Sequence, residues 1–236
     1  MRLRFPIPAV YAVSLGVTTL ANAQFRPAML DGGPDAVIRL VNPQKLMERG
    51  QKDAVVMFDR AIFTANLGNV LATEITYASP GSDLLQTALV RAINAVHFTP
   101  ALVDGKPTQV GFYGTATFSI KDGRPQLRIY ANQEPDEIAA GHDFVAPQPI
   151  MVKSKSKDAA INLLGAARAK HKTGAVILSV SVDAAGKPTD VKVISETPTG
   201  FNFGAAAAML TREESFIPGF RNGKPVACTV KTREIL

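Results

Sequence analysis

The sequence predicts an α+β fold made of two tandem copies of one small unit, each a three-stranded antiparallel sheet packed by helices. The first observation is an internal repeat: at a shift of 118 residues, residues 97–107 align with residues 215–225. Phe-x-Pro and Gly-Lys-Pro recur in both segments with the same separation. The second observation is that each copy alternates apolar and polar residues in several short stretches, which is typical of strands with one buried face.

The second copy shows its first two strands most clearly. Apolar side chains occupy every second position over residues 175–183, and Asp183-Ala184-Ala185-Gly186 then provides a turn. A returning strand is predicted over residues 189–195, where valines alternate with charged side chains. Residues 175–195 therefore predict an antiparallel hairpin.

A helix and a third strand complete the second copy. Residues 203–214 carry alanines, a methionine and a leucine at helical spacing. Ile217-Pro218 ends this helix, because proline disfavours a helical residue before it and cannot donate its own amide. After a turn at Asn222-Gly223, alternation over residues 226–236 predicts the last strand. A further helix is predicted at residues 158–171.

The first copy follows the same pattern, although its first strand alternates less regularly. The turn signal Lys121-Asp122-Gly123-Arg124 predicts, in addition, a fourth strand over residues 126–130 that pairs outside the third strand. The other predicted elements of the first copy are strands at residues 54–65, 70–77 and 108–120 and a helix at residues 83–96.

The first residues predict export from the cytoplasm to the periplasm. Two arginines precede twelve mostly apolar residues, and Ala21-Asn22-Ala23 is a small-x-small cleavage site, so we expect a signal peptide cleaved before Gln24. A retained membrane anchor is the alternative, although the apolar stretch is shorter than the roughly 20 residues that span a bilayer. The chain then divides into a signal peptide (residues 1–23), a first unit (residues 24–130), a connecting segment (residues 131–150) and a second unit (residues 151–236).

Charge and residue counts exclude several classes of function. The net charge is +6, and the basic residues are spread along the chain, so no nucleic-acid partner is predicted. Cys228 is the one cysteine, and with three histidines it cannot form a Cys/His zinc cluster. The sequence contains no nucleophile motif, phosphate-binding loop or metalloprotease motif. We therefore expect no enzyme activity, no metal, no cofactor and no small-molecule substrate.

Four segments of the second unit carry a resemblance to a known family. They are Gly174-Ala175-Val176-Ile177-Leu178-Ser179-Val180-Ser181-Val182-Asp183 with Gly186, then Asp190-Val191-Lys192-Val193, Phe216-x-Pro218 and Asn222-Gly223-Lys224-Pro225-Val226. In this order and spacing they resemble the C-terminal domain of TonB-type energy transducers, over roughly residues 158–236. Residues 43–120 resemble the same domain more weakly.

The resemblance implies a function in protein binding. In that family the last strand offers its free edge to an extended segment of an outer-membrane receptor, which adds a strand to the sheet. The extra strand predicted for the first copy would occupy the equivalent edge, so we expect only the second copy to accept a partner segment. The edge implied by the resemblance consists of Val226, Ala227, Cys228, Thr229, Val230, Lys231, Thr232 and Arg233.

Two hypotheses for the function follow. In the first, the chain is a non-enzymatic periplasmic protein that binds a protein partner, such as an outer-membrane receptor, in envelope transport. In the second, it is a self-associating structural module of the envelope with a TonB-like fold and no energy transduction, because an exposed edge also pairs with a second copy in a homodimer. The dependence of the molecular mass on concentration distinguishes the two.

Overall fold

A computed structural model describes residues 24–62, 70–151 and 155–236. The expected signal peptide, residues 1–23, lies outside the described residues, and so do residues 63–65 at the end of the first predicted strand. The described parts form an α+β protein, in which helices pack on small antiparallel sheets. The predicted fold class is correct at this level.

The first unit begins with two short strands and two helices, continues through a hairpin and a long helix, and ends in five further strands. Its elements are β1 (Phe25–Arg26), β2 (Met29–Leu30), α1 (Gly33–Val41), α2 (Pro43–Glu48), β3 (Ala54–Ile62), β4 (Val70–Ala78), α3 (Asp83–Ala95), β5 (Phe98–Thr99), β6 (Ala101–Val103), β7 (Lys106–Thr108), β8 (Val110–Lys121) and β9 (Arg124–Ala131).

The main sheet of the first unit has four antiparallel strands in the order β4-β3-β8-β9. One face carries Phe58, Phe112 and Phe118, all buried against the apolar sides of α1 and α3. β9 pairs with β8 from Gly114 opposite Ala131 to Lys121 opposite Arg124. The predicted fourth strand is therefore present and covers the outer edge of the third.

The connecting segment and the second unit have the same order of elements, except for an additional helix at the start and one strand fewer at the end. Their elements are α4 (Pro135–Ala139), β10 (Phe144–Val145), β11 (Gln148–Pro149), α5 (Lys157–Leu163), α6 (Gly165–Ala169), β12 (Ala175–Val182), β13 (Pro188–Thr197), α7 (Phe203–Glu213), β14 (Phe216–Ile217), β15 (Gly219–Arg221), β16 (Lys224–Val226) and β17 (Cys228–Ile235).

The main sheet of the second unit has three antiparallel strands in the order β13-β12-β17. The side chains that alternate along β12 are fully buried at every second position, as the sequence predicts, and α7 packs over them with Phe203 at its first turn. The predicted helix over residues 158–171 is instead two short helices that meet at Leu164 and Gly165. Glycine lowers helix stability through its backbone entropy, which is consistent with a break at this point.

The last predicted strand, residues 226–236, is also divided. β16 pairs with β15 across the Asn222-Gly223 turn, so Val226 belongs to a separate small sheet. β17 starts only at Cys228, after the chain leaves that sheet at Ala227. Apolar residues alternate through this point in the sequence, at Val226, Cys228 and Val230, so the alternation does not reveal the change of sheet.

The connecting segment is folded. β10 pairs with β15 and β11 pairs with β14, so both of its strands extend the hairpin that follows α7. Glu137 on α4 accepts hydrogen bonds from the guanidinium group of Arg221 on β15 and lies 2.6 Å from His142 Nδ1. Two-residue strands have no periodicity, which is why the sequence indicates only a connection here.

The two units share irregular features of their sheets as well as their regular ones. In the first sheet, the pairing of β3 with β4 leaves Thr76 as the extra residue of one bulge and Leu71 as that of another. In the second sheet, the pairing of β12 with β13 leaves Ile194 and Thr189 in the corresponding places. In both units, short strands before the first helix pair with the hairpin after the long helix.

Candidate partner-binding edge

The residues expected to bind a partner lie mostly on one strand at the edge of the second sheet. Cys228 to Arg233 belong to β17, which pairs with β12 on one side only. Val226 and Ala227 are not part of this edge, because Val226 pairs with Gly219 and Ala227 connects the two strands. The structure thus assigns six of the eight expected residues to the edge strand.

The hydrogen bonds at the C-terminal end of β17 show which of its main-chain groups point toward β12 and which point away. Gly174 and Leu236 exchange two hydrogen bonds, with N···O distances of 2.8 and 2.9 Å. In an antiparallel pair such hydrogen-bonded positions alternate, and the register of β17 on β12 has no irregularity. The N–H and C=O groups that point away from β12 therefore belong to Thr229, Lys231, Arg233 and Ile235.

The N-terminal half of this edge is open. Among the described residues, the outward main-chain groups of Thr229 and Lys231 have no main-chain partner. Both residues are exposed, and the Thr229 hydroxyl lies 2.8 Å from that of Ser181 on the neighbouring strand. Val230 between them is 2% exposed and packs in the core, which holds the strand in place. We call Thr229–Lys231 the open stretch.

The C-terminal half of the edge is covered by the first unit. The Nε of Arg233 donates a hydrogen bond to the carbonyl oxygen of Thr76 at 2.9 Å, and its guanidinium group lies 5.5 Å from the centre of the Tyr77 ring. Thr76 is the bulge residue of β4, the edge strand of the first sheet. A bulge leaves one residue out of the ladder, so its carbonyl group is free to accept from another element. We call this interaction the rim contact.

Two carboxyl groups, Asp59 on β3 and Glu214 after α7, interact electrostatically with Glu234 on β17, next to the rim contact. Burial, followed by the charges of Glu234 and Glu74, raises the pKa of Asp59 to about 7. Burial and the charge of Glu234 raise the pKa of Glu214 to about 7 as well. Burial also raises the pKa of Glu234. We call Asp59, Glu214 and Glu234 the carboxylate cluster.

The sequence gives no indication of the carboxylate cluster, because its members are distant in the chain and none lies in a recognisable motif. In residues 24–62, 70–151 and 155–236, no group of three or more His, Cys, Asp or Glu side chains is arranged to hold a metal ion. Burial raises the pKa of the Cys228 thiol to about 11, so at neutral pH it is protonated and a poor nucleophile.

Residues 165–235 match the family model described as Gram-negative bacterial TonB protein C-terminal. This match supports the resemblance found in the second unit, and it covers all of β12, β13, α7 and β17. The family model finds one copy only. In comparisons with curated proteins and with solved structures, no protein matches the chain.

The match makes residues 165–235 similar to the C-terminal domain of TonB, which suggests the cell envelope, and domains of this family interact with proteins. Among the described residues, no helix has both the length and the apolar character required to cross a membrane.

Proposed function

We propose that the chain is a non-enzymatic periplasmic protein that binds an extended segment of a protein partner by strand addition at β17. The partner of first choice is an outer-membrane TonB-dependent receptor, and the process is envelope transport. We further propose that residues 1–23 are a cleaved signal peptide and that the two units are divergent copies of one TonB C-terminal-like domain.

The observation that carries this proposal is the open stretch. Thr229 and Lys231 present N–H and C=O groups at the outer edge of a folded sheet, inside the segment that matches the family. A partner strand that pairs there gains main-chain hydrogen bonds without rearranging the core, since Val230 already packs on β12 and α7.

The length of the open stretch sets the strength of binding. Two residues offer four main-chain groups, and each hydrogen bond contributes about 0.5 to 1.5 kcal/mol net. This gain is partly offset by the ordering of the partner segment and by the loss of its translational freedom. We therefore expect weak, reversible binding, which suits a contact that is repeatedly made and released.

The shared bulges support the proposal of two copies. Thr76 and Ile194 occupy corresponding positions of the second strand, and so do Leu71 and Thr189. A bulge depends on local pairing and is not required by an antiparallel hairpin, so two matching bulges favour descent from one unit over chance. In the first copy β9 occupies the outer edge of the third strand, which leaves the second copy as the one that accepts a partner.

The test is an affinity pull-down from envelope extract with residues 24–236 as bait. The substitution Lys231→Pro removes an outward N–H from the open stretch, and proline is tolerated on an edge strand. Val193→Pro on β13 is the matched control, because it removes an outward N–H from the opposite edge of the same sheet. We expect the wild type and Val193→Pro to recover outer-membrane receptors and Lys231→Pro to lose them.

Self-association is the competing outcome. If the bait recovers only itself, and if its mass rises with concentration in the wild type but not in Lys231→Pro, then the edge pairs with a second copy and the transport function is wrong. Equal recovery of receptors by all three baits would show that binding occurs elsewhere on the protein.

A further inference from the structure

The third strands of the two units, β8 and β17, can be compared position by position. Each pairs with the first strand of its hairpin: Val110 lies opposite Ile62, and Cys228 lies opposite Val182. β9 covers β8 from Gly114 to Lys121. Counted from the start of each strand, Gly114 corresponds to Thr232. Among the described residues, no strand of the second unit takes the place of β9. The part of β17 that such a strand would cover therefore begins at Thr232.

That same half of β17 carries the rim contact. Arg233 is the second residue of the half, and it holds the Thr76 carbonyl and lies over the Tyr77 ring. In the first unit, β9 covers this half of the third strand. In the second unit, the corresponding half of β17 lies against β4, the bulged edge strand of the first unit. The two halves of β17 therefore differ in access: the open stretch is free, and the remainder is closed by the first unit.

We propose that the first unit is an intramolecular gate on the β17 edge, closed by the rim contact, and that a partner strand extends beyond the open stretch only when this contact is released. The proposal rests on the proposed function and specifies how its site is regulated. The partner first pairs with Thr229 and Lys231, then displaces β4 from Arg233 and pairs with the outward main-chain groups of Arg233 and Ile235.

The rim contact is suited to release. It consists of one side-chain hydrogen bond and one cation–π contact, and among the described residues β4 and β17 share no main-chain hydrogen bond. A partner strand offers the outward groups of Arg233 and Ile235 main-chain hydrogen bonds that β4 does not supply. Opening of the gate therefore replaces two side-chain interactions with main-chain hydrogen bonds to the partner strand.

Electrostatic repulsion within the carboxylate cluster weakens the closed state. Asp59 on β3 interacts unfavourably with Glu234 on β17 and with Glu74 on β4, and Glu214 after α7 also interacts unfavourably with Glu234. Tyr113 on β8 faces the same junction and stays neutral, because burial holds its pKa well above 10. When these carboxyl groups ionise, like charges lie on both sides of the junction, which limits how firmly the first unit holds the edge.

The experiment uses residues 24–236 and a synthetic peptide with the sequence of residues 124–131, the strand that pairs with the equivalent half of β8. Arg233→Ala removes both parts of the rim contact, and Tyr77→Ala removes one part without changing β17. Lys192→Ala on β13 is the control at the opposite edge of the same sheet, since Lys192 pairs with Asp190 and lies outside both the open stretch and the rim contact. A peptide of the same composition in scrambled order controls for nonspecific binding.

Two readouts are needed, peptide affinity and amide hydrogen exchange over residues 74–78 and 231–235. We expect Arg233→Ala to bind the peptide about tenfold or more tightly than the wild type and to exchange faster in both segments. Tyr77→Ala should change both quantities in the same direction and by less, and Lys192→Ala should change neither.

The possible outcomes distinguish failure of the gate from failure of strand addition. Equal peptide affinity and equal exchange in Arg233→Ala and the wild type overturn the gate, and strand addition stands if both proteins bind. Faster exchange in Arg233→Ala with no peptide binding by any variant overturns both the gate and strand addition at this half of the edge.

Discussion

The side-chain amide of Gln148 makes two hydrogen bonds to the main chain of Ala28: Oε1 accepts from the N–H group and Nε2 donates to the C=O group, each at 2.8 Å. Gln148 lies on β11, which pairs with the second unit, and Ala28 lies between β1 and β2 of the first. Both residues are fully buried. One amide side chain therefore satisfies both polar groups of a buried residue and joins the two halves of the chain.

Gln148→Ala is expected to destabilise the protein. It leaves the N–H and C=O groups of Ala28 buried without partners, which costs roughly 2 to 4 kcal/mol in the free energy of unfolding. Urea denaturation measures this change. Gln126→Ala on the exposed side of β9 is the control and should change the free energy by less than about 0.5 kcal/mol. Similar values for the two variants would mean that the Ala28 pairing does not contribute to stability.

Gly186→Ala is expected to disturb the junction between the β12–β13 turn and β14. Gly186 has a φ angle of +78°, and a Cβ atom there would collide with the carbonyl oxygen of Phe216. Gly223 also has a positive φ angle, of +73°, but no atom lies within 4 Å of its Cβ position. We expect Gly223→Ala to cost about 1 kcal/mol from backbone strain alone, and Gly186→Ala to cost about 2 kcal/mol more.

Thermal unfolding of the two glycine variants measures this difference directly. If Gly186→Ala and Gly223→Ala lower the melting temperature equally, then the contact with Phe216 relaxes without cost, and the turn is held against β14 less tightly than the structure indicates.

The carboxylate cluster is expected to make the protein less stable as the pH rises. The pKa of Asp59 is raised from 3.8 to about 7, and that of Glu214 from 4.5 to about 7, so the folded chain binds protons that the unfolded chain has released. The contribution of these groups to stability is therefore largest below the unfolded pKa and falls as the pH rises through the folded pKa near 7. Melting temperatures at about pH 5 and about pH 8 measure the change.

Asp59→Asn tests the origin of this pH dependence. Asparagine carries no charge, so we expect the stability advantage of the variant over the wild type to be larger at about pH 8 than at about pH 5, by roughly 1 to 3 kcal/mol. Asp190→Asn is the control, because Asp190 forms an exposed ion pair with Lys192. If the melting temperature of Asp59→Asn depends on pH in the same way as that of the wild type, then Asp59 ionises freely in the folded protein.

Tyr113→Phe is expected to loosen the connecting segment. The Tyr113 hydroxyl donates to the carbonyl oxygen of Pro147 at 2.8 Å, and its raised pKa keeps it a donor over the whole range in which the protein is handled. Loss of this hydrogen bond should cost about 0.5 to 1.5 kcal/mol and should speed amide exchange at residues 144–149. Unchanged exchange in that segment would show that the strand pairs alone hold it.

The regular elements of the chain are predictable from the sequence because local patterns determine them. Alternation along residues 175–183 marks β12, helical spacing marks α3 and α7, and the Asp122-Gly123 turn marks β9. The elements that the sequence misses have no such pattern. β10 and β11 are two residues long, and the break at Leu164 and Gly165 lies within a run of helix-forming residues.

The sequence by itself determined the α+β class, the repeated Phe-x-Pro and Gly-Lys-Pro segments, and the family resemblance that residues 165–235 support. It also indicated which strand lies at the edge of the second sheet. Only the tertiary structure decided which part of that strand is accessible, because access depends on Arg233 of the second unit meeting Thr76 of the first. These residues are far apart in the chain, and no local pattern records a contact that forms only when two folded units pack together.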